Sequence, residues 1–120
     1  MPKILVIEDT KAMLNAWVKK FESQGFDVYT ADCAEKAVKV AQENRPQIVV
    51  VDLPNKEGTQ AIKKIREHKW GSRLPVLFLN SLQDPEVYMQ YSVGPDVHLA
   101  YNWSLQEVVE KAKNQLQLNY

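Results

Sequence analysis

The chain has 120 residues, 45% of them hydrophobic and 25% charged, which suits one soluble globular domain with a sizeable core. Fifteen basic and fifteen acidic residues cancel to a formal charge of zero, so no net field draws the chain to nucleic acid or an anionic membrane. Cys33 is the only cysteine, which excludes an internal disulfide and a thiolate metal cluster. The N-terminus MPKILVIED has no signal-peptide pattern, and no apolar run approaches the roughly 18 residues of a membrane helix; the expected location is the cytoplasm.

Strand-like and helix-like segments alternate along the chain. Ile4 to Ile7 is a fully apolar run, read as a buried strand that delivers Glu8 and Asp9 at its end. Met13, Leu14, Trp17, Val18 and Phe21 repeat at helical spacing, and Gly25 stops that helix. Phe26 to Ala31 reads as a second strand. Asp32 and Glu35 have the spacing of a capping box for a second helix, packed through Ala34, Ala37, Val38 and Ala41 and ended by Asn44, Arg45 and Pro46.

Ile48 to Val51 is an unbroken β-branched run, the mark of a strand buried on both faces. Asp52 ends it, and Pro54 and Gly58 follow as turn signals. A third helix is expected from about Thr59 to His68, with Ala61, Ile62 and Ile65 inward. The basic run Lys63, Lys64, Arg66, His68, Lys69 and Arg73 reads as a solvated face, with Trp70 covering the end of this helix. Val76 to Leu79 makes a fourth strand ending in Asn80 and Ser81, and Asp84 and Pro85 start a short fourth helix reaching about Tyr91. Gly94 and Pro95 break the chain, Val97 to Ala100 gives a fifth strand, and Ser104 and Glu107 cap a last helix with Leu105, Val108, Val109, Ala112 and Leu116 inward.

Five strand–helix units without sequence repeats predict an α/β fold, a doubly wound parallel sheet with helices on both faces, in a single domain spanning 1–120 with no output domain. The carboxyl strand ends would gather Glu8 and Asp9, Asp52, Asn80 and Ser81, and Tyr101 on one edge, where open α/β sheets place their chemistry. Asp52 alone reads equally well as a turn former. Clustered with two other carboxylates it points to a hard cation such as Mg²⁺ held between them, or to a nucleophile toward phosphorus. The residues offer no histidine and cysteine set for zinc, no glycine-rich phosphate loop and no nucleophile elbow.

The segments KILVIED, VVVDLP, LPVLFLNS and GPDVHLAYNWS together resemble the response-regulator receiver domain (CheY-like) of bacterial two-component signalling, over essentially all 120 residues. The resemblance implies a flavodoxin-like, three-layer sandwich with sheet order 2-1-3-4-5 and five helices. It implies that Asp52 accepts a phosphoryl group from a histidine kinase or phosphotransfer protein. Glu8, Asp9, Asp52 and the Pro54 carbonyl would hold Mg²⁺, and Asn80, Ser81, His98 and Tyr101 would occupy the phosphate-contact and switch positions. Such a domain is a phosphoacceptor that signals through a downstream protein partner and not an enzyme in its own right.

The resemblance is atypical at the switch. Receivers carry Thr or Ser where this chain has Asn80, and Lys, usually followed by Pro and Phe, where it has Tyr101, Asn102 and Trp103. The switch aromatic aligns with His98, and Gly58 follows Asp52 about two residues early. A charge-assisted hydrogen bond is worth roughly 1.5–3 kcal/mol, while allosteric couplings total about 1–3 kcal/mol, so loss of the lysine alone removes most of the expected switching energy. Two readings stay open: a receiver with an altered switch, or a phosphorylation-independent pseudo-receiver that acts as an interaction module. Tyr88, Tyr91, Tyr101 and Trp103 would either pack the seam between helix 4, strand 5 and helix 5 or form an interaction face there, including a weak homodimer contact.

Overall fold

Lys3–Glu8 (β1), Asp27–Ala31 (β2), Ile48–Asp52 (β3), Val76–Leu79 (β4) and Val97–Leu99 (β5) form one parallel sheet in the order β2-β1-β3-β4-β5. The computed structural model describes residues 1–53, 57–79, 97–99 (backbone) and 103–118. Helices Lys11–Ser23 (α1), Ala34–Asn44 (α2), Glu57–Arg66 (α3) and Leu105–Leu118 (α4) lie on the two faces, with a 3₁₀ turn at Lys69–Gly71 after α3. This is the flavodoxin-like three-layer sandwich that the sequence predicts. The helix expected from Asp84 to about Tyr91 falls outside the described residues, as does Ala100.

Strand parity divides the core. Leu5, Ile7, Val49, Val51, Val76 and Phe78 point to one face and pack with Ala37 and Ala41 of α2 and Ala61, Ile62 and Ile65 of α3. Ile4, Val6, Ile48, Val50, Leu77 and Leu79 point to the other, against Trp17 and Phe21 of α1 and Val108, Val109 and Ala112 of α4. Side chains of β1, β3 and β4 are buried on both faces, which is why these strands read as continuous apolar runs. Each fully buried Ile, Leu or Val contributes about 1.5–3 kcal/mol relative to exposure.

Local signals decide the element ends. Gly25, at φ 89°, takes the left-handed position after α1; its N–H bonds to the Glu22 carbonyl and the Phe26 N–H reaches back to the Phe21 carbonyl, a Schellman stop. The Ser104 hydroxyl accepts a hydrogen bond of 3.0 Å from the Glu107 N–H, capping α4 as its spacing predicts. The predicted Asp32 cap is corrected: Cys33 occupies the N-cap of α2 without a side-chain bond, and the Asp32 carboxylate instead pairs with Lys36 at 3.2 Å. One residue upstream of the cap, Asp32 is better placed for the Lys36 ammonium.

Helix α3 is also shifted from the expected Thr59–His68. It starts at Glu57, so Gly58 is buried inside its first turn instead of breaking the chain, and it ends at Arg66. The 3₁₀ turn ends the helix early, and it depends on Gly71, where a Cβ would collide with the Ile65 carbonyl oxygen. Lys63, Lys64, Lys69 and Arg73 are exposed, as a solvated face should be. Arg66 is half-buried and donates to the Leu74 carbonyl at 3.1 Å. Trp70 closes this end as expected, stacked on His68 and covered by the Arg45 guanidinium at 4.6 Å.

Candidate functional site

The chemistry gathers where β1 and β3 end side by side. Glu8 and Asp52 are register partners, and each continues the parity of Ile4 and Val6 or of Ile48 and Val50, so both carboxyls lie on the α1 and α4 side of the sheet. Chain order thus brings two acidic groups 44 residues apart to one spot, at the carboxyl edge that parallel sheets use for ligands.

Glu8 is only 3% exposed. Its Oε1 accepts from the Trp17 indole Nε1–H at 3.3 Å and its Oε2 from the Thr10 backbone N–H at 3.3 Å. Burial, a hydrogen bond shared with the Asp52 carboxyl and the charge of that carboxyl push Glu8 up to about 8, against the smaller opposing pull of Thr10 and Trp17. Two carboxyls this close hold a proton between them unless another positive charge takes its place.

Asp52 is half-buried and Asp9 is exposed. Among the described residues no group of three or more His, Cys, Asp or Glu side chains converges as a metal-binding cluster. The structure brings Glu8 and Asp52 together in register, and Asp9 follows Glu8 directly in the chain with its side chain exposed. Pro54, Asn80, Ser81, Tyr88, Tyr91 and Tyr101 lie outside the described residues, and His98 is placed only by its backbone, paired in register with Phe78.

Trp103 is half-buried, its ring 5.4 Å from that of Trp17. It packs against Trp17 of α1, on the internal aromatic cluster; the seam with the expected fourth helix lies outside the described residues. Sequence reasoning placed Trp17 in the core and missed its bond to Glu8. A signal was present: a Trp at a fully inward position brings an N–H that needs an acceptor, and Glu8 ends the strand that precedes α1. Among the described residues, no helix is long and apolar enough to cross a membrane.

Comparisons with known proteins agree with the fold. The family model for the response regulator receiver domain matches residues 4–113. The alkaline phosphatase synthesis transcriptional regulatory protein PhoP of Bacillus subtilis is 29% identical over 114 residues, covering 92% of this chain and 47% of that protein; the chain spans about half the length of this curated relative. The receiver domain of sensor histidine kinase PA1611 from Pseudomonas aeruginosa PAO1, solved with a magnesium ion coordinated in its active-site cleft, superposes with TM-score 0.82 at 26% identity, covering 97% of this chain and 98% of that one. The chemotaxis protein CheY4 of Vibrio cholerae shares the fold, with TM-score 0.82 at 18% identity over 95% of this chain and 98% of that one.

Proposed function

The chain belongs to the response regulator receiver family, and from that premise we propose that Asp52 is its phosphoacceptor, charged by a histidine kinase or phosphotransfer protein. The observation that carries this reading is the in-register pairing of Asp52 with the buried Glu8 at the carboxyl edge of the sheet. An Asp52 carboxylate oxygen would bond to phosphorus as the donor's P–N bond breaks, the donor imidazole leaving with the bonding electron pair and taking up a proton.

The donor set fits a magnesium ion. Glu8 and Asp52 are hard oxygen ligands, and burial of Glu8, together with its hydrogen bond to Asp52 and their mutual repulsion, holds a proton that a divalent cation can replace. Glu8 and Asp52 would hold the ion, with Asp9 and the Pro54 carbonyl completing the set. Such an ion would neutralise charge on the phosphoryl oxygens. Trp17 and Thr10 keep Glu8 oriented. Tyr101, standing where the family has lysine, offers one neutral donor and no charge. We read this as an altered switch, its output passing through protein contacts in the cytoplasm and not through turnover of a substrate.

Intact mass after incubation with acetyl phosphate and Mg²⁺ tests this. The parent should gain one phosphoryl mass, and Asp52→Asn should gain none. An unmodified parent that also fails to bind Mg²⁺ would favour the second reading, a phosphorylation-independent interaction module. The Tyr101 and Asn80 substitutions are what support that alternative.

A further inference from the structure

Trp17 is fully buried, yet it carries a polar handle into the acidic site. Its indole N–H reaches Glu8 Oε1 at 3.3 Å, while the Thr10 N–H reaches Oε2 at the same distance. One donor is the N-cap of α1 and the other sits in the middle of the same helix, so a single helix takes both oxygens of Glu8 and fixes the plane of its carboxyl. The indole has little freedom of its own. Phe21 lies 5.9 Å from it on the same helix and Trp103 lies 5.4 Å away, two residues before α4 begins. In a close-packed interior a ring confined in this way moves only with its neighbours.

We propose that Trp17 is a positioning residue for the acidic site: its N–H sets the Glu8 carboxyl against Asp52, and its ring carries displacement of Glu8 to Trp103 at the head of α4. This rests on the reading of Glu8 and Asp52 as a magnesium site. It gives that site a line of contact to the C-terminal helix that uses neither Tyr101 nor Asn80. Hydrogen-bonding partners of metal ligands commonly govern affinity by 10–100-fold, and the indole bond to Glu8 is of that type.

The test is a Mg²⁺ titration of the full chain without phosphodonor, followed by calorimetry and by the ¹H–¹⁵N cross-peaks of the three indoles. The Trp17 indole peak should move with the same dissociation constant as the Asp52 amide, Trp103 should follow, and Trp70, at the opposite end of α3, should stay still. Trp17→Phe keeps an aromatic ring but removes the donor; it should weaken Mg²⁺ binding about 10-fold and abolish the Trp103 shift. Ile62→Val, a core truncation on the opposite face of the sheet, should lower the melting temperature while leaving Mg²⁺ affinity within about twofold, since it alters packing away from the indole.

Parental affinity in a folded Trp17→Phe variant overturns the proposal. A stationary Trp17 peak beside a moving Asp52 amide overturns it as well, without any variant. If no peak of the parent responds to Mg²⁺, the magnesium-site reading falls and the positioning role falls with it.

Discussion

Against α2 and α3 the sheet meets small and aliphatic side chains, among them Ala37, Ala41, Ala61, Ile62 and Ile65. Against α1 and α4 it meets Trp17 and Phe21, with Phe26 and Trp103 in the same cluster. The first face brings two helices close to the sheet. The second leaves room for rings, and one of those rings has a hydrogen to donate. Glu8, the only ionisable side chain buried among the described residues, opens onto the second face. One side of the sheet is built for packing alone, while the other combines packing with the chemistry of the site.

Trp17→Ala should break this difference most severely. It removes a fully buried indole and leaves Glu8 Oε1 without its donor, and large-to-small changes of this kind cost about 3–5 kcal/mol. Urea denaturation would measure it. An equally drastic loss from the other face, such as Ile62→Ala at about 2–5 kcal/mol, should leave the indole contacts of the acidic site in place. Comparing Mg²⁺ binding in the two folded variants would separate lost stability from lost site geometry.

The second prediction concerns pH. An acid whose proton affinity is higher in the folded protein binds more protons there than in the unfolded chain between its two pKa values. Glu8 is raised from its ordinary 4.5 to about 8. Its stabilising contribution is therefore complete below about 4.5 and is lost as the pH rises to about 8, opposite to the usual behaviour of a salt-bridged carboxylate. The slope from one group cannot exceed about 1.4 kcal/mol per pH unit. Urea midpoints measured in EDTA across this window should fall with pH in the parent and stay flatter in Glu8→Gln. The α2 and α3 face contributes no buried carboxylate to this trend among the described residues.

A smaller effect tests the packing face by itself. Ala41 is fully buried where α2 lies on the sheet, so Ala41→Leu should overpack it at a cost of about 1–3 kcal/mol. Mg²⁺ affinity should not change, because the added atoms sit on the side away from Glu8 and Asp52.

The same division explains what could be read from the sequence. Val76–Leu79 was legible to the residue because a strand buried on both faces shows as an apolar run between turn signals. Glu8 and Asp52 were legible as strand-end carboxylates by the same logic. Asp9 was grouped with them by adjacency, and its side chain is exposed beside the buried Glu8. The start of α3 was misplaced because Gly58 looks like a break and is instead buried in the first turn, at a position only the packing of the helix reveals. Trp17 showed its helical period but not its hydrogen bond, which depends on which face of β1 the helix covers.

The helix caps provide the finest contrast between the two faces. Ser104 and Asp32 looked alike in sequence, each followed three residues later by glutamate. Only Ser104, on the α4 side, gives its side chain to a backbone N–H, at 3.0 Å; on the α2 side the cap position belongs to Cys33, and Asp32 faces Lys36 in solvent. Ser104→Ala should therefore cost about 1 kcal/mol, the usual worth of a side-chain cap, while Asp32→Ala should cost less and lose its effect in high salt, where an exposed ion pair is screened. Thermal melts of both variants at low and high ionic strength would show it. A salt-insensitive loss for Asp32→Ala as large as that of Ser104→Ala would mean that Asp32 caps α2 after all.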